Sequence, residues 1–186
     1  MLEVELKASL EGFSPEEIQK KAQDIGFRMK NELREIDMYF NGNDRDFRVT
    51  DEALRLRSCQ DLTKGTPAQV LITYKGAKQD SVSSTRTEYE TRVEDQTVMQ
   101  KLLGALGYRP MYTVDKTRKE FSFGQTTLCL DTVENLGCYL ELEMLVESET
   151  QREVSIQTLL QLLDSLQIPR DHLTRKSYLE LIYFNR

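Results

Sequence analysis

The chain has a single histidine, three cysteines and no apolar run approaching the ~20 residues that a membrane helix needs. Each scarcity removes a class of function. His172, in a Pro-Arg-Asp-His stretch, reads as a surface residue and leaves no Ser-His-Asp or Cys-His constellation to build. Cys59, Cys129 and Cys138 are odd in number and lack metal-type spacing, which favours reduced thiols in a cytosol-like compartment over a disulfide framework. Charges begin at the third residue, so no signal peptide is expected. No G-x-x-x-x-G-K loop and no strand-linked G-x-G-x-x-G is present, so any phosphate must be held by side chains. The net charge of −6 argues against a general nucleic-acid binder. It leaves an anionic small molecule open, because the local field decides binding. Internal repeats and low-complexity tracts are also missing.

What remains is a chain of 186 residues, 39% hydrophobic and 30% charged, long enough for one domain with a sizeable core. Its most informative feature is a recurrent alternation. Glu3, Glu5 and Lys7 enclose Val4 and Leu6; in a strand the charges then share one face and the apolar residues the other. The pattern returns in Arg55-Leu56-Arg57, in Arg86, Glu88 and Glu90, in Lys116 and Arg118, and in Glu141-Leu142-Glu143. One such strand would be an ordinary solvated surface. Five, mixing acids and bases, point to charged faces that converge on one polar space.

The spacing predicts strands at residues 2–9, 36–41, 53–59, 70–75, 85–93, 112–121, 126–131 and 138–146. Helices are expected from Ser14 to Gly26, near Asp95 to Gly107, at Ser155–Leu166 and near Ser177–Phe184. Ser14, Pro15 and Glu17 form a start signal, and Gly26 a stop. Val98, Leu102, Ala105 and Leu106 give the second helix an apolar stripe, as Ile156, Leu159, Leu160, Leu163 and Leu166 do the third. Asn41–Glu52, Asp61–Gln69 and Gly76–Ser84 read as polar loops. If the charges point inward, Leu54, Leu56, Leu128, Leu130, Leu140 and Leu142 point outward and need a helical coat. The expected fold is therefore α+β: an eight-stranded antiparallel β-barrel with a polar interior and amphipathic helices packed outside.

The inward candidates divide by charge. Glu3, Glu5, Glu88, Glu90, Asp131, Glu141 and Glu143 are acidic; Lys7, Arg55, Arg57, Lys75, Arg86, Lys116 and Arg118 are basic. Carboxylates without cysteine or clustered histidine are the hard ligand set of Mg²⁺ or Mn²⁺. Arginine and lysine together suit phosphate oxygens. Cys129 shares a face with Asp131 by parity and is expected to be an inert buried thiol. Tyr39 and Tyr178 read as core or rim aromatics with a polar tip.

At this point the blocks resemble a family. Glu3-Val4-Glu5-Leu6-Lys7 is similar to the E-x-E-x-K signature of the CYTH, or triphosphate tunnel, superfamily, which includes class IV adenylyl cyclases and thiamine triphosphatases. Asp37-Met38-Tyr39-Phe40, Leu54 to Arg57, Tyr74-Lys75, Arg86 to Glu90, Leu106-Gly107-Tyr108 through Arg118, Leu130 to Glu143 and Ser177-Tyr178 resemble its later blocks in order. The resemblance implies one such domain over residues 1–186, acting on a triphosphate group with Mg²⁺ or Mn²⁺. It implies metal ligands or their close support at Glu3, Glu5, Asp131, Glu141 and Glu143, with Glu88 and Glu90 as supporting acids. It implies a phosphate cradle of Lys7, Arg55, Arg57, Lys75, Arg86, Lys116 and Arg118, with Lys7 and Glu5 nearest to catalysis. Class IV cyclases typically carry a His-Phe pair shortly before the first motif, where this sequence has Met1 and Leu2. Hydrolysis of tripolyphosphate, thiamine triphosphate or a related compound is therefore expected ahead of cyclisation of ATP. A non-catalytic nucleotide or polyphosphate sensor is the third reading. The expected setting is cytoplasmic, with no nucleic acid and no membrane as partner and a homodimer left open.

Overall fold

The computed structural model describes residues 2–78 and 86–184. Eight strands form a closed antiparallel barrel: β1 (Leu2–Ser9), β2 (Arg28–Asn41), β3 (Ala53–Asp61), β4 (Gln69–Lys75), β5 (Arg86–Val93), β6 (Arg109–Phe123), β7 (Thr126–Val133) and β8 (Gly137–Val146). Around the barrel their order is β5-β4-β3-β2-β6-β7-β8-β1, and β1 pairs back to β5 through Leu2–Thr87 and Glu3–Arg86. A short β9 (Leu173–Thr174) pairs with the same strand farther along, opposite Lys7 and Ala8. The expected eight-stranded antiparallel barrel is the observed one. Most of the polar stretch expected at Gly76–Ser84 lies outside the described residues.

The alternation in each strand sets the two faces. Val4, Leu6, Ala8, Leu128, Leu130, Leu140 and Leu142 point outward and are buried under α1 (Pro15–Ile25) and α3 (Glu149–Ser165), which contribute Ile18, Ala22, Leu159 and Leu163. On the other flank Phe40, Leu54 and Leu56 meet Leu103 and Met99 of α2 (Gln96–Ala105). A fourth helix, α4 (Tyr178–Phe184), packs differently. Its Tyr178, Leu179 and Ile182 contact Tyr39, Val114, Val133 and Tyr139, which share the inward faces of Asp37, Lys116, Asp131 and Glu141. It therefore covers a mouth of the barrel rather than the outer wall.

Local signals set the helix ends. Ser14 Oγ accepts the Glu17 amide at 3.4 Å but gives its own proton to Glu16, at 2.7 Å. Gly26, at φ 117°, returns its amide to Ala22 and Gln23. Asp95 accepts the Val98 amide at 2.9 Å.

Three expectations shift. Strand β2 begins at Arg28, eight residues before the expected start, because its first half pairs with β6 through a polar run that carries no apolar alternation. Helix α3 begins at Glu149, after a Ser148 cap, where the sequence is too polar to show a stripe. The stripe on α2 faces outward: Val98, Leu102 and Leu106 are 58%, 46% and 56% exposed, and Leu103 is the buried residue.

The contrast is measurable. Leu142→Ala empties a fully buried position between barrel and helix and lowers unfolding free energy by about 2–5 kcal/mol. Leu102→Ala on the exposed stripe changes it by less than about 0.5 kcal/mol in the same denaturant titration.

Candidate functional site

Inside the barrel, strand register pairs the charges. Directly opposite neighbours include Lys7–Glu141, Glu3–Arg86, Lys75–Glu88, Arg57–Asp37, Lys116–Glu35 and Arg118–Asp131. Each joins opposite signs, which stabilises a cross-strand pair. Arg57 donates Nε and Nη2 to the two Asp37 oxygens at 2.6 and 2.7 Å, and Nη1 to Glu35 at 2.6 Å. Arg118 grips Asp131 in the same bidentate way at 2.7 Å twice, and also donates to Glu141. Lys116 lies 3.1 Å from Asp131 and 3.2 Å from Glu35. Tyr178 reaches in from α4: its hydroxyl donates to Asp131 at 2.9 Å. Its ring sits 4.6 and 5.0 Å from the Lys7 and Lys116 ammonium groups.

One opposite pair breaks the rule. Glu5 faces Glu143, and Glu3 joins them, so that ligand atoms from the three carboxylates lie within 4.8 Å of one another. Among the described residues this is the one such acidic group. Glu5 Oε1 is buried and lies 3.1 Å from Lys7, yet makes no aligned hydrogen bond. Burial, with Glu88, Glu5 and Glu141 nearby and Lys75 opposing, pushes the Glu3 carboxyl up to about 7. Burial, opposed by Arg118 and reinforced by Glu3, Glu141 and Glu5, holds Glu143 well above the usual carboxylate range. Crowded hard oxygens with an unsatisfied acceptor fit a divalent cation.

The other acids behave in the opposite sense. Burial works against the charge on Glu35, but Lys116, Arg57 and Arg118 outweigh it and lower the group to about 2. Glu141, between Arg118, Lys7 and Lys116, stays well below its ordinary value despite burial. Lys7 remains cationic, since Glu5 and Glu141 overcome its desolvation and raise it above the usual lysine range.

These groups line one cavity of about 600 Å³ that takes in Glu3, Glu5, Lys7, Asp37, Arg55, Arg57, Lys75, Arg86, Glu88, Glu90, Lys116, Arg118, Glu141 and Glu143. Asp131 and Glu35 are not in that lining; they stand behind Lys116 and Arg118. Arg55 is held more loosely than Arg57 and Arg118: Nη2 donates to Thr73 at 3.2 Å, Asp37 and Glu90 are each 3.6 Å away, and buried Nε has no hydrogen-bond partner. Glu90 accepts from the Thr73 hydroxyl at 2.7 Å, and Glu88 takes the Lys75 ammonium. Arg86 donates to the Asp51 and Gly76 carbonyls at 3.4 and 3.2 Å.

Sequence reasoning missed Glu35, although Glu35-Ile36-Asp37 carries the same alternation as the other strands. It also missed Arg48, Tyr112 and Tyr183, which join the cavity from a loop, the start of β6 and α4. Cys129 is the expected inert thiol, buried and pushed well up by desolvation. His172 is half-buried, with Nδ1 3.0 Å from the Ser9 carbonyl, and its ring packs on Phe13 rather than standing on the surface.

Comparison with known proteins is consistent over the whole length. The CYTH domain model matches residues 1–178. A Methanocaldococcus jannaschii protein described as a candidate adenylate cyclase is 34% identical over 181 residues, spanning 97% of this chain and 98% of its own. The structure of the PH1819 protein from Pyrococcus horikoshii superposes with a TM-score of 0.89 at 34% identity, covering 99% of each chain. An adenylyl cyclase candidate from Hippeastrum, reported with a dominant triphosphatase activity, shares the fold at TM-score 0.65 and 17% identity, over 99% of this chain and 94% of that one. No described helix is long and apolar enough to cross a membrane.

Two titrations test these electrostatics. Glu35 has a lowered folded-state value, so its contribution is present above about pH 4.5 and is lost as pH falls through about 2. Glu35→Gln should lower the melting temperature at pH 7, and the gap to wild type should close between pH 4.5 and 2. Protons compete at Glu3 and Glu143, whose values are raised. Mn²⁺ should accordingly raise the melting temperature more at pH 8 than at pH 6, and Glu143→Gln should lose most of that increment.

Proposed function

Because the chain belongs to the CYTH domain family, we propose that it hydrolyses a triphosphate group, such as that of tripolyphosphate or an organic triphosphate, with Mg²⁺ or Mn²⁺ as cofactor. One observation carries this reading: a tight carboxylate group and a set of buried cations share a single cavity inside the barrel.

Glu3, Glu5 and Glu143 would hold the divalent ion. When bound it supplies neutralisation of phosphate charge and a more acidic water. The chain's own groups do the rest. Lys7, Arg55, Arg57, Lys75, Arg86, Lys116 and Arg118 cradle the phosphates. Arg57 and Arg118 are fixed by their carboxylate partners and still have N–H donors left over, since a guanidinium carries five. Fixed donors need little reorganisation when a phosphate arrives. Asp131 and Glu141 act here by aiming Lys116, Arg118 and Lys7, and Glu88 and Glu90 by restraining Lys75 and the Thr73–Arg55 pair. Lys7, kept protonated between Glu5 and Glu141, is a donor rather than a base and orients the attacking water or the terminal phosphoryl oxygen. Phosphoryl transfer asks mainly for such positioning and charge stabilisation.

Cyclisation of ATP is the second reading, favoured by the 34% identical relative described as a candidate adenylate cyclase. The same cradle would serve, with a ribose hydroxyl attacking the α-phosphate. Hydrolysis is preferred because it needs only a triphosphate and a water placed among these groups, whereas cyclisation also needs the ribose held in line with the α-phosphate.

Incubation with Mg²⁺ or Mn²⁺ and tripolyphosphate, thiamine triphosphate or ATP separates the readings. Orthophosphate release is the expected result; cyclic AMP with pyrophosphate would replace it by the second, and tight binding without product would reject both. Arg55→Ala should lower kcat/KM by about 10- to 100-fold, the loss expected for a charge-assisted hydrogen bond. Wild-type kinetics in that variant would remove Arg55 from the cradle.

A further inference from the structure

The barrel leaves part of one strand without a neighbour. Strand β5 pairs with β4 from Lys75–Glu88 to Val70–Val93, in a regular register without a bulge. On its other side, β1 meets it only at Leu2–Thr87 and Glu3–Arg86. The Gly76 amide donates to the Thr87 carbonyl at 2.9 Å, so Thr87, Tyr89, Thr91 and Val93 turn their backbone groups toward β4. Glu88, Glu90 and Arg92 turn theirs the other way. Among the described residues no strand receives them.

This edge is open to solvent. Glu90, Thr91 and Arg92 are exposed, and Tyr89 is 68% exposed. On the outer face Tyr89 is fixed by stacking on Tyr74, with ring centroids 6.3 Å apart and planes at 12°. The Arg92 guanidinium has no ion pair or hydrogen bond among the described residues. Edge strands that stay solitary are commonly blunted by proline, lysine or a bulge. Residues 86–93 contain neither proline nor lysine, and their pairing with β4 is regular. Their inward charges are the remaining guard, and these are of both signs.

We propose that β5 pairs with β5 of a second copy of this chain, antiparallel about a two-fold axis through Thr91. Edge-facing residues must lie opposite one another, which limits the register to even steps. Centring the pair on Glu90 sets glutamate against glutamate, and centring on Arg92 sets arginine against arginine. Centring on Tyr89 sets Glu88, already bound to Lys75, against Glu90. Centring on Thr91 sets Glu90 against the partner's Arg92 twice, and Tyr89 against the partner's Val93 twice. Opposite charges then face each other with Cβ atoms about 4.5–5.5 Å apart, and no like charges are opposed within the strand. Each Glu90–Arg92 pair exchanges both its N–H···O bonds, so the ladder closes with roughly four. The contact is self-complementary and closed, as a two-fold interface requires. It also reaches the cavity wall, because Glu90 accepts the Thr73 hydroxyl at 2.7 Å and lies 3.6 Å from Arg55. This pairing is independent of the triphosphate reading.

Sedimentation velocity over a concentration series of the full chain reads the contact directly. The wild type should form dimers as its concentration rises. Arg92→Glu should raise the dimer dissociation constant about tenfold or more, since it sets acid against acid at both pairs. Arg92→Lys, which keeps the charge, should stay close to wild type. Glu90→Lys should weaken the dimer as Arg92→Glu does. Mixed in equal amounts, Arg92→Glu and Glu90→Lys should recover a dimer, because each charge in the mixed pair again meets its opposite. A wild type that stays monomeric throughout leaves the edge to a strand of another protein or to solvent, and overturns the proposal. So does a dimer that Arg92→Glu leaves intact, or a mixture that does not recover.

Discussion

The structure depends on strand register inside a closed barrel. A shift of one residue in any strand would exchange its charged and apolar faces. Ionised groups would then meet the leucines of α1 and α3, and leucines would enter the channel. A buried charge without a partner is strongly destabilising, so the register that sets Arg57 against Asp37, Arg118 against Asp131 and Lys116 against Glu35 is a condition for folding as well as for binding. These pairs make the interior rigid, and they leave Glu5 facing Glu143 as the exception. The exception is the place where we propose that a divalent cation binds.

The acids in the channel therefore divide into two kinds with opposite electrostatics. Glu35 and Glu141 sit among cations and are held ionised, while Glu3 and Glu143 sit among other acids and take up protons readily. The cations divide as well. Arg57 and Arg118 are clamped by carboxylates, whereas Arg55 keeps a buried Nε with no partner. Rigid donors give geometry, and an unsatisfied donor gives affinity. Both are needed to hold a flexible polyanion in a defined pose.

Much of this was legible in the residues themselves. Period-two alternation identified seven strands closely and placed the charged side chains on a common inner face, because a strand has no other way to sort them. It failed at Arg28–Glu35, where both faces are polar and pairing with β6 decides the conformation, and Glu35 was lost with it. Helical periodicity was reliable for α1, where the apolar face is also the buried one. It misled for α2, whose stripe at Val98, Leu102 and Leu106 points away from the barrel, since periodicity reports an apolar face without saying what lies beneath it. The corner made by Arg48, Tyr112 and Tyr183 gave no local signal. Its members come from three distant segments that only the tertiary fold unites.

The joint that closes the barrel differs from the others. Strand β1 matches β8 over eight residue pairs, but meets β5 among the described residues only at Leu2–Thr87 and Glu3–Arg86. Those two pairs carry one member of the carboxylate group and one of the arginines that line the cavity. A metal ion on Glu3 and a phosphate oxygen on Arg86 would belong to a single bound molecule spanning the gap. Occupancy would thus act as a clasp, tying β1 to β5 from within the cylinder.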